Sequence, residues 1–316
     1  MYATPSLLSS SMVHNETSYE PPAGPPPLLA PDEIRHLAFQ GWLPVTLPHE
    51  LLQTLDALSQ AAGLFFDQSP EVKCRLYPAS NGTENGFYQV ECEKEYLTFR
   101  HHVHPDSVLE HHASEAWQSI GAFLHRMLCD LSRAGSYSLS AWPKLLDGAL
   151  EMAADATRLQ DTPTLMRLFR YYPTSGFAAS HVDLGLLTLC IGSGQGLQVL
   201  DRTLTPPQFI DAEGAVVVVG DTLRSLMRNQ VRAGAHRVVE NPHGRSSIIF
   251  ALRPCLSHDI DLASFGGCGT ANANEVYVSV KGNKYNINAT KDIREKQQQA
   301  QREKKSISDA TRFSSV

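Results

Sequence analysis

The stretch TLMRLFRYY, residues 164–172, decides the fold. It is short, apolar and aromatic, and it reads as a β-strand. The same texture recurs at Gly185–Ile191, Gly196–Leu200, Gly214–Val219, His236–Glu240 and Ser246–Leu252. Gly, Pro, Asn and Asp separate these runs, and no long helical pattern lies between them. Successive strands without crossover helices predict an antiparallel sandwich or barrel. A further strand pair is expected over Glu275–Ile287.

Upstream the periodicity changes. Ile34, Leu37 and Ala38, then Leu51, Leu52, Leu55, Leu58, Ala61 and Ala62, recur at helical spacing and flank the short apolar piece Gly41–Val45. Helices are also expected over Trp117–Leu131 and from about Ala141 to Leu159. The organisation expected is therefore a Ser- and Pro-rich arm over residues 1–30, an α-rich region over 31–160 packing on a β core over 161–287, and a polar helix or tail over 288–316.

Composition narrows the function. The 316 residues carry 27 Lys and Arg against 33 Asp and Glu, a net charge of −6, which argues against a polyanion-binding surface and hence against nucleic acid as a partner. No apolar run of about 18 residues and no basic-then-apolar leader is visible, so neither a membrane span nor a secretory signal is expected. The six cysteines lie far apart with no Cys-x-x-Cys pair, which predicts reduced thiols in a cytoplasmic protein and a metal, if any, held by other ligands. Thirteen histidines are more than a chain of this size ordinarily carries.

Two of them stand out. His181 and Asp183 are two apart at the edge of a predicted strand, so their side chains share a face. Fifty-three residues after Asp183 comes His236 on another predicted strand, followed by Arg245 and Ser247, again two apart. Two imidazoles and a carboxylate can take three adjacent positions of an octahedral iron and leave the opposite face open. A guanidinium fork beside a hydroxyl suits a carboxylate. The alternative for each is ordinary: a polar turn, a satisfied buried carboxylate, a core histidine, a surface ion pair. The cluster His101, His102, His104, His111 and His112 is read as structural or surface, because adjacent residues on an extended segment point to opposite faces. Gly192–Gly196 is read as a tight loop between strands.

The ordered set of His181, Asp183, His236, Arg245 and Ser247 resembles the isopenicillin N synthase-like family of Fe(II)- and 2-oxoglutarate-dependent dioxygenases. The resemblance extends to Tyr171-Tyr172-Pro173, Leu187-Thr188-Leu189, Gly196-Leu197-Gln198-Val199, Gly220-Asp221 and Arg228-Asn229, and in the first half to Phe65-Phe66-Asp67, Gly86-Phe87-Tyr88 and Lys94-Glu95. It covers roughly residues 31–255. It implies a mainly β protein, a double-stranded β-helix or jelly roll with an α-rich N-terminal cap. It also implies His181, Asp183 and His236 as iron ligands, and Arg245, Ser247 and Tyr172 as the holders of 2-oxoglutarate. Phe99, His101 and Arg228 are expected at the substrate pocket, and no catalytic residue is expected beyond the iron ligands. The chemistry implied is oxidative decarboxylation of 2-oxoglutarate by dioxygen, coupled to hydroxylation, desaturation, cyclisation or rearrangement of a small organic molecule. Arg170 and Val218 stand where many plant members have asparagine, which leans the reading towards microbial secondary metabolite biosynthesis. A cosubstrate-independent oxidase, like isopenicillin N synthase itself, and an inactive jelly-roll receptor are the alternatives.

Overall fold

The computed structural model describes residues 24–80, 84–282, 288, 293–297 and 299. The expected arm before residue 24 and most of the expected tail lie outside them.

Helix α1 (Pro31–Gln40) starts with proline in its first turn, where a missing N–H costs nothing, and with Glu33 accepting from the Ala30 amide at 2.7 Å. It ends on Gly41, whose φ of 80° favours glycine. Strand β1 (Trp42–Val45) follows, then α2 (His49–Phe66), α3 (Pro70–Leu76), β2 (Gly86–Val90) and β3 (Lys94–Phe99). The long helix α4 (Val108–Ala134) is capped by Ser107, whose hydroxyl accepts from the Glu110 amide. Trp117, Ile120, Leu124, Met127, Leu128 and Leu131 form its buried stripe. Its buried Asp130 accepts from the Leu28 and Leu29 amides at 2.8 and 2.9 Å, which lays the proline-rich residues before α1 along this helix.

The helix expected over residues 141–159 is only the single turn α5 (Trp142–Leu145), with an isolated 3-10 turn at Ala156–Arg158. Gly148 at φ 67° takes the chain out of the helix. The six strands expected after residue 162 are all present: β4 (Leu165–Tyr171), β6 (Leu187–Gly192), β7 (Leu197–Asp201), β9 (Ala215–Val219), β10 (His236–Val238) and β11 (Arg245–Leu252). Between them lie the short β5 (Ala178–His181), β8 (Gln208–Asp211) and helix α6 (Asp221–Leu226). Strands β12 (Asp259–Asp261) and β13 (Thr270–Asn272) form a small ribbon. The strand expected from Glu275 is instead helix α7 (Ala273–Lys281). Its valines mimic a strand, but Asn272 caps the amides of Asn274 and Glu275, and Ala273 and Tyr277 are buried at helical spacing. Residues 283–287 lie outside those described.

Among the described residues the named strands all pair antiparallel. The larger sheet runs β1-β9-β6-β11-β4-β3-β2 and the smaller β5-β10-β7-β8. The first half of the chain thus supplies three strands as well as helices. One face of the larger sheet, with Leu97, Met166, Leu168, Leu189, Val217, Ile248 and Phe250, joins the helical core, where Trp117 meets Phe250 edge-on at 5.1 Å. The other face, with Cys190, Val216, Val218, Phe169 and Tyr171, packs against Leu197, Val199 and Ala178 of the smaller sheet. The chain is a mainly β protein with helices laid on one side. Among the described residues no helix is long and apolar enough to cross a membrane.

Candidate metal centre

Strands β5 and β10 pair so that His181 stands directly opposite His236, and cross-strand partners point to the same face. Their rings lie 4.2 Å apart. The Asp183 carboxylate reaches the same spot, with one oxygen 3.6 Å from His181 Nε2 and the other 3.9 Å from His236 Nε2. One ligand atom from each residue lies within 4.8 Å of the other two.

The tautomers follow from the hydrogen bonds. His181 Nδ1 donates to the Ala179 carbonyl at 2.8 Å and His236 Nδ1 to the Gly234 carbonyl at 3.1 Å. A carbonyl can only accept, so Nδ1 carries a proton in each ring, and the Nε2 atoms, which face Asp183, are the ones left for a metal. The main chain of the aspartate is held as well: its carbonyl accepts from the Asp221 amide at 2.9 Å, and the Leu184 carbonyl accepts from the Thr222 amide. The N-terminus of α6 thereby fixes the loop that carries the ligand. Burial alone would raise the Asp183 carboxyl, but the imidazoles of His236 and His181 outweigh it and hold the group well below the usual carboxylate range. The cluster is ready to bind a cation without losing a proton from the carboxylate.

Arg245 and Ser247 stand on β11 opposite Tyr171 and Phe169 of β4, and both are buried, at 6% exposure. One guanidinium nitrogen of Arg245 donates to the Gly194 carbonyl at 2.7 Å, in the loop between β6 and β7 that was expected to be tight. Its Nε has no hydrogen-bond partner, nor do Ser247 Oγ and Asp183 Oδ2. A buried polar atom left unpaired costs about 1–3 kcal/mol, and three such atoms in one region mark where ligands belong. A metal satisfies the aspartate. A carboxylate satisfies the guanidinium and the hydroxyl. The donor set, two imidazole nitrogens and one carboxylate oxygen with no thiolate, fits a non-haem iron that keeps open positions.

Glycine at 192 leaves room for the guanidinium where it stands: a Cβ there would run into the Arg245 side chain, which would have to shift. Burial lowers the Arg245 guanidinium, and nearby Tyr171 and Cys190 partly offset it.

Tyr172, expected at the cosubstrate, lies on the rim of a 440 Å³ cavity that Arg245 also lines, but its hydroxyl accepts from Gln89 Nε2 at 3.1 Å. The tyrosine in the interior is Tyr171, the cross-strand partner of Arg245; burial pushes its phenol up, and Arg245 faces it. Phe99 is fully buried on the helix side, edge-on to Tyr77, and does not face the triad. Its strand does line the interior, through the opposite parity: Tyr96 stacks on Tyr88 and meets Phe169 at a tilt. His101 bonds the His102 carbonyl and bridges to Ala153, and Arg228 bonds the Gly266 carbonyl. Neither stands among the residues gathered around Asp183. Alternation along β4, read against β11, is the signal that would have singled out Tyr171.

No family model matches the chain. An oxidoreductase of Penicillium aethiopicum, vrtI, is 33% identical over 126 residues, 34% of this chain and 30% of that protein. A 2-oxoglutarate-dependent dioxygenase of a Dothideomycetidae species, frbH, is 38% identical over 79 residues, 23% of this chain and 25% of that protein. The matched segments thus span less than a third of the relatives' own length. In fold, a full-length Neurospora crassa protein solved with alpha-KG and 5-formyluracil matches with TM-score 0.60 and 17% identity over 78% of this chain and 87% of that one. A rice dioxygenase for auxin oxidation matches with TM-score 0.57 and 17% identity over 82% and 92%. The chain is thus similar in fold, over most of its length, to a protein solved with alpha-KG and to a dioxygenase, and similar in sequence, over these shorter segments, to an oxidoreductase and a 2-oxoglutarate-dependent dioxygenase.

Proposed function

We propose that the protein is an Fe(II)- and 2-oxoglutarate-dependent dioxygenase acting on a small organic molecule, in secondary metabolism as the fungal relatives suggest. The observation that carries this reading is the set of unpaired buried atoms, Asp183 Oδ2, Arg245 Nε and Ser247 Oγ, on elements that hold them in place without a ligand. In this reading the two facing sheets are a double-stranded β-helix. Residues 31–160 form its cap and contribute edge strands, residues 161–287 are its core, and 288–316 are an appended polar segment. All six cysteines are unpaired, which suits a reducing cytoplasm.

His181, Asp183 and His236 would hold the iron, and bound iron supplies the dioxygen chemistry. The chain's own residues have other tasks. The carbonyls of Ala179 and Gly234 keep the Nε2 lone pairs aimed at the metal. Arg245 and Ser247 take the distal carboxylate of 2-oxoglutarate, with the Gly194 carbonyl anchoring the guanidinium so that its remaining donors face the ligand. Tyr171 closes the interior beside Arg245 and excludes water from the ion pair. No general acid or base is needed. Selectivity rests on where the pocket places one C–H bond.

The test is anaerobic addition of Fe(II) and then 2-oxoglutarate to metal-free protein. The iron-to-cosubstrate charge-transfer band is expected to appear, and oxygen then to yield succinate. No band and no succinate above a His181→Ala variant would overturn the proposal.

A further inference from the structure

We propose that Asp147, Cys255 and His258 form a second metal site, for a zinc-class divalent cation, separate from the His181, Asp183 and His236 centre. One donor atom from each of the three lies within 4.8 Å of the others. His258 Nε2 is 3.2 Å from Asp147 Oδ2. Cys255 is completely buried, and its sulfur touches Ser257 Oγ at 3.1 Å.

The fold sets this geometry without help from a cation. The Cys255 amide donates to the Leu145 carbonyl and the Leu256 amide to the Asp161 carbonyl, both at 2.7 Å, and the Ala273 amide donates to the His258 carbonyl at 3.1 Å. These bonds tie the segment after β11 to the last residue of α5, to Asp161 and to the first residue of α7, and Asp147 lies two residues beyond Leu145. A cavity of about 390 Å³ opens beside them, lined by Lys144, Leu145, His258, Asp259 and Asp261 among others. It offers a route in and room for water as a fourth ligand.

The chemistry of the donors selects the cation. A thiolate, an imidazole and a carboxylate form the mixed sulfur, nitrogen and oxygen set that suits zinc in tetrahedral coordination with one open position. Calcium and magnesium want an all-oxygen shell and find one carboxylate here. Cys255-x-x-His258 has the short spacing common in zinc ligand pairs. The rule that dismissed the cysteines asked for Cys-x-x-Cys, and it passes over a thiol paired with a histidine. Asp147 Oδ2 also receives Arg158 at 3.2 Å, but that side chain is half exposed and can turn into solvent when the cation takes over its charge. Binding forms the sulfur-metal bond as the thiol proton leaves to solvent. The product is a clamp between the helical layer and the far end of β11, the strand that carries Arg245 and Ser247.

Cobalt(II) tests this in the intact chain, because a thiolate ligand gives a near-ultraviolet sulfur-to-cobalt charge-transfer band that the all-nitrogen-and-oxygen centre cannot produce. Reduced, metal-stripped protein titrated anaerobically should bind two equivalents and develop that band. Cys255→Ser and His258→Gln should each remove the band and one equivalent, whereas His181→Ala should keep the band and lose the other equivalent. His258 is partly exposed, so its variant probes the site without burying a new polar group. Absence of the band, or a band that survives both variants and so belongs to the exposed Cys74, Cys92 or Cys268, would overturn the proposal. Neither outcome bears on the dioxygenase reading.

Discussion

The two faces of β4 and β11 do opposite work with alternate residues of the same strands. Met166, Leu168, Ile248 and Phe250 point to the helices and form continuous apolar packing. Arg167, Phe169, Tyr171, Arg245 and Ser247 point to the smaller sheet, and there polar atoms are buried unpaired. One face holds the molecule together, and the other accepts desolvated groups that only a ligand satisfies. A one-residue shift in register would exchange these roles, which is why the pairing of β4 with β11 is fixed along seven residues.

The contrast can be broken from either side. Asp183→Ala should reduce succinate formation to the no-protein background while leaving the denaturant midpoint in place. Phe250→Ala, on the other face, should cost about 3–5 kcal/mol in unfolding free energy, read by denaturant titration, because it empties the contact with Trp117. Arg245→Met should leave unfolding nearly unchanged and weaken 2-oxoglutarate binding by about 2–5 kcal/mol, roughly thirtyfold to several-thousandfold in the dissociation constant.

Lys94 lies on the site face yet has no exposure, and its amine donates to the Phe177 carbonyl at 3.2 Å. Burial lowers its ammonium from the ordinary value to about 7, against the opposing pull of Glu93. Between pH 7 and about 10.4 the unfolded chain therefore holds a proton that the folded chain has released, so this residue's contribution to stability rises with pH across that window. The wild type minus Lys94→Met difference in unfolding free energy should climb in that direction, and a flat difference would show that the folded amine stays protonated. Ser247→Ala is expected to have the smallest effect, about 1 kcal/mol in 2-oxoglutarate affinity, with unchanged stability.

Much of this was legible. The alternating and apolar runs after residue 162 mark β4, β6, β7, β9, β10 and β11, because a strand buried on at least one face must show it. Arg245 and Ser247 are spaced by the period of a strand, so their convergence follows from the pleat, whereas Asp183 lies two residues past the end of β5, in a loop that the N-terminus of α6 holds. The four-residue β8 was not legible, because its residues run exposed, half-buried, half-buried, exposed and carry no alternation. Tyr171 and Tyr172 are the same residue type side by side, and only the partner strand says which one faces in. The same holds for Phe99, which lies on the helix side of its strand, while the residue of that strand turned to the interior is Tyr96, whose parity depends on its pairing with Phe169. Gly192 carries no pattern at all, since the room left by its missing Cβ is taken by an arginine 53 residues away in the chain.

Strand β1 ends the larger sheet beside β9, with Trp42 opposite Val218 and Pro44 opposite Val216. A sheet margin is a template for joining other chains, and β9 is a run of valines whose backbone would invite it. Four residues from before the core cover that run, and the proline among them lacks an N–H to offer outward. Residues 42–45 therefore act as a guard against self-association, and trimming the chain past them should make the remaining protein aggregate through β9.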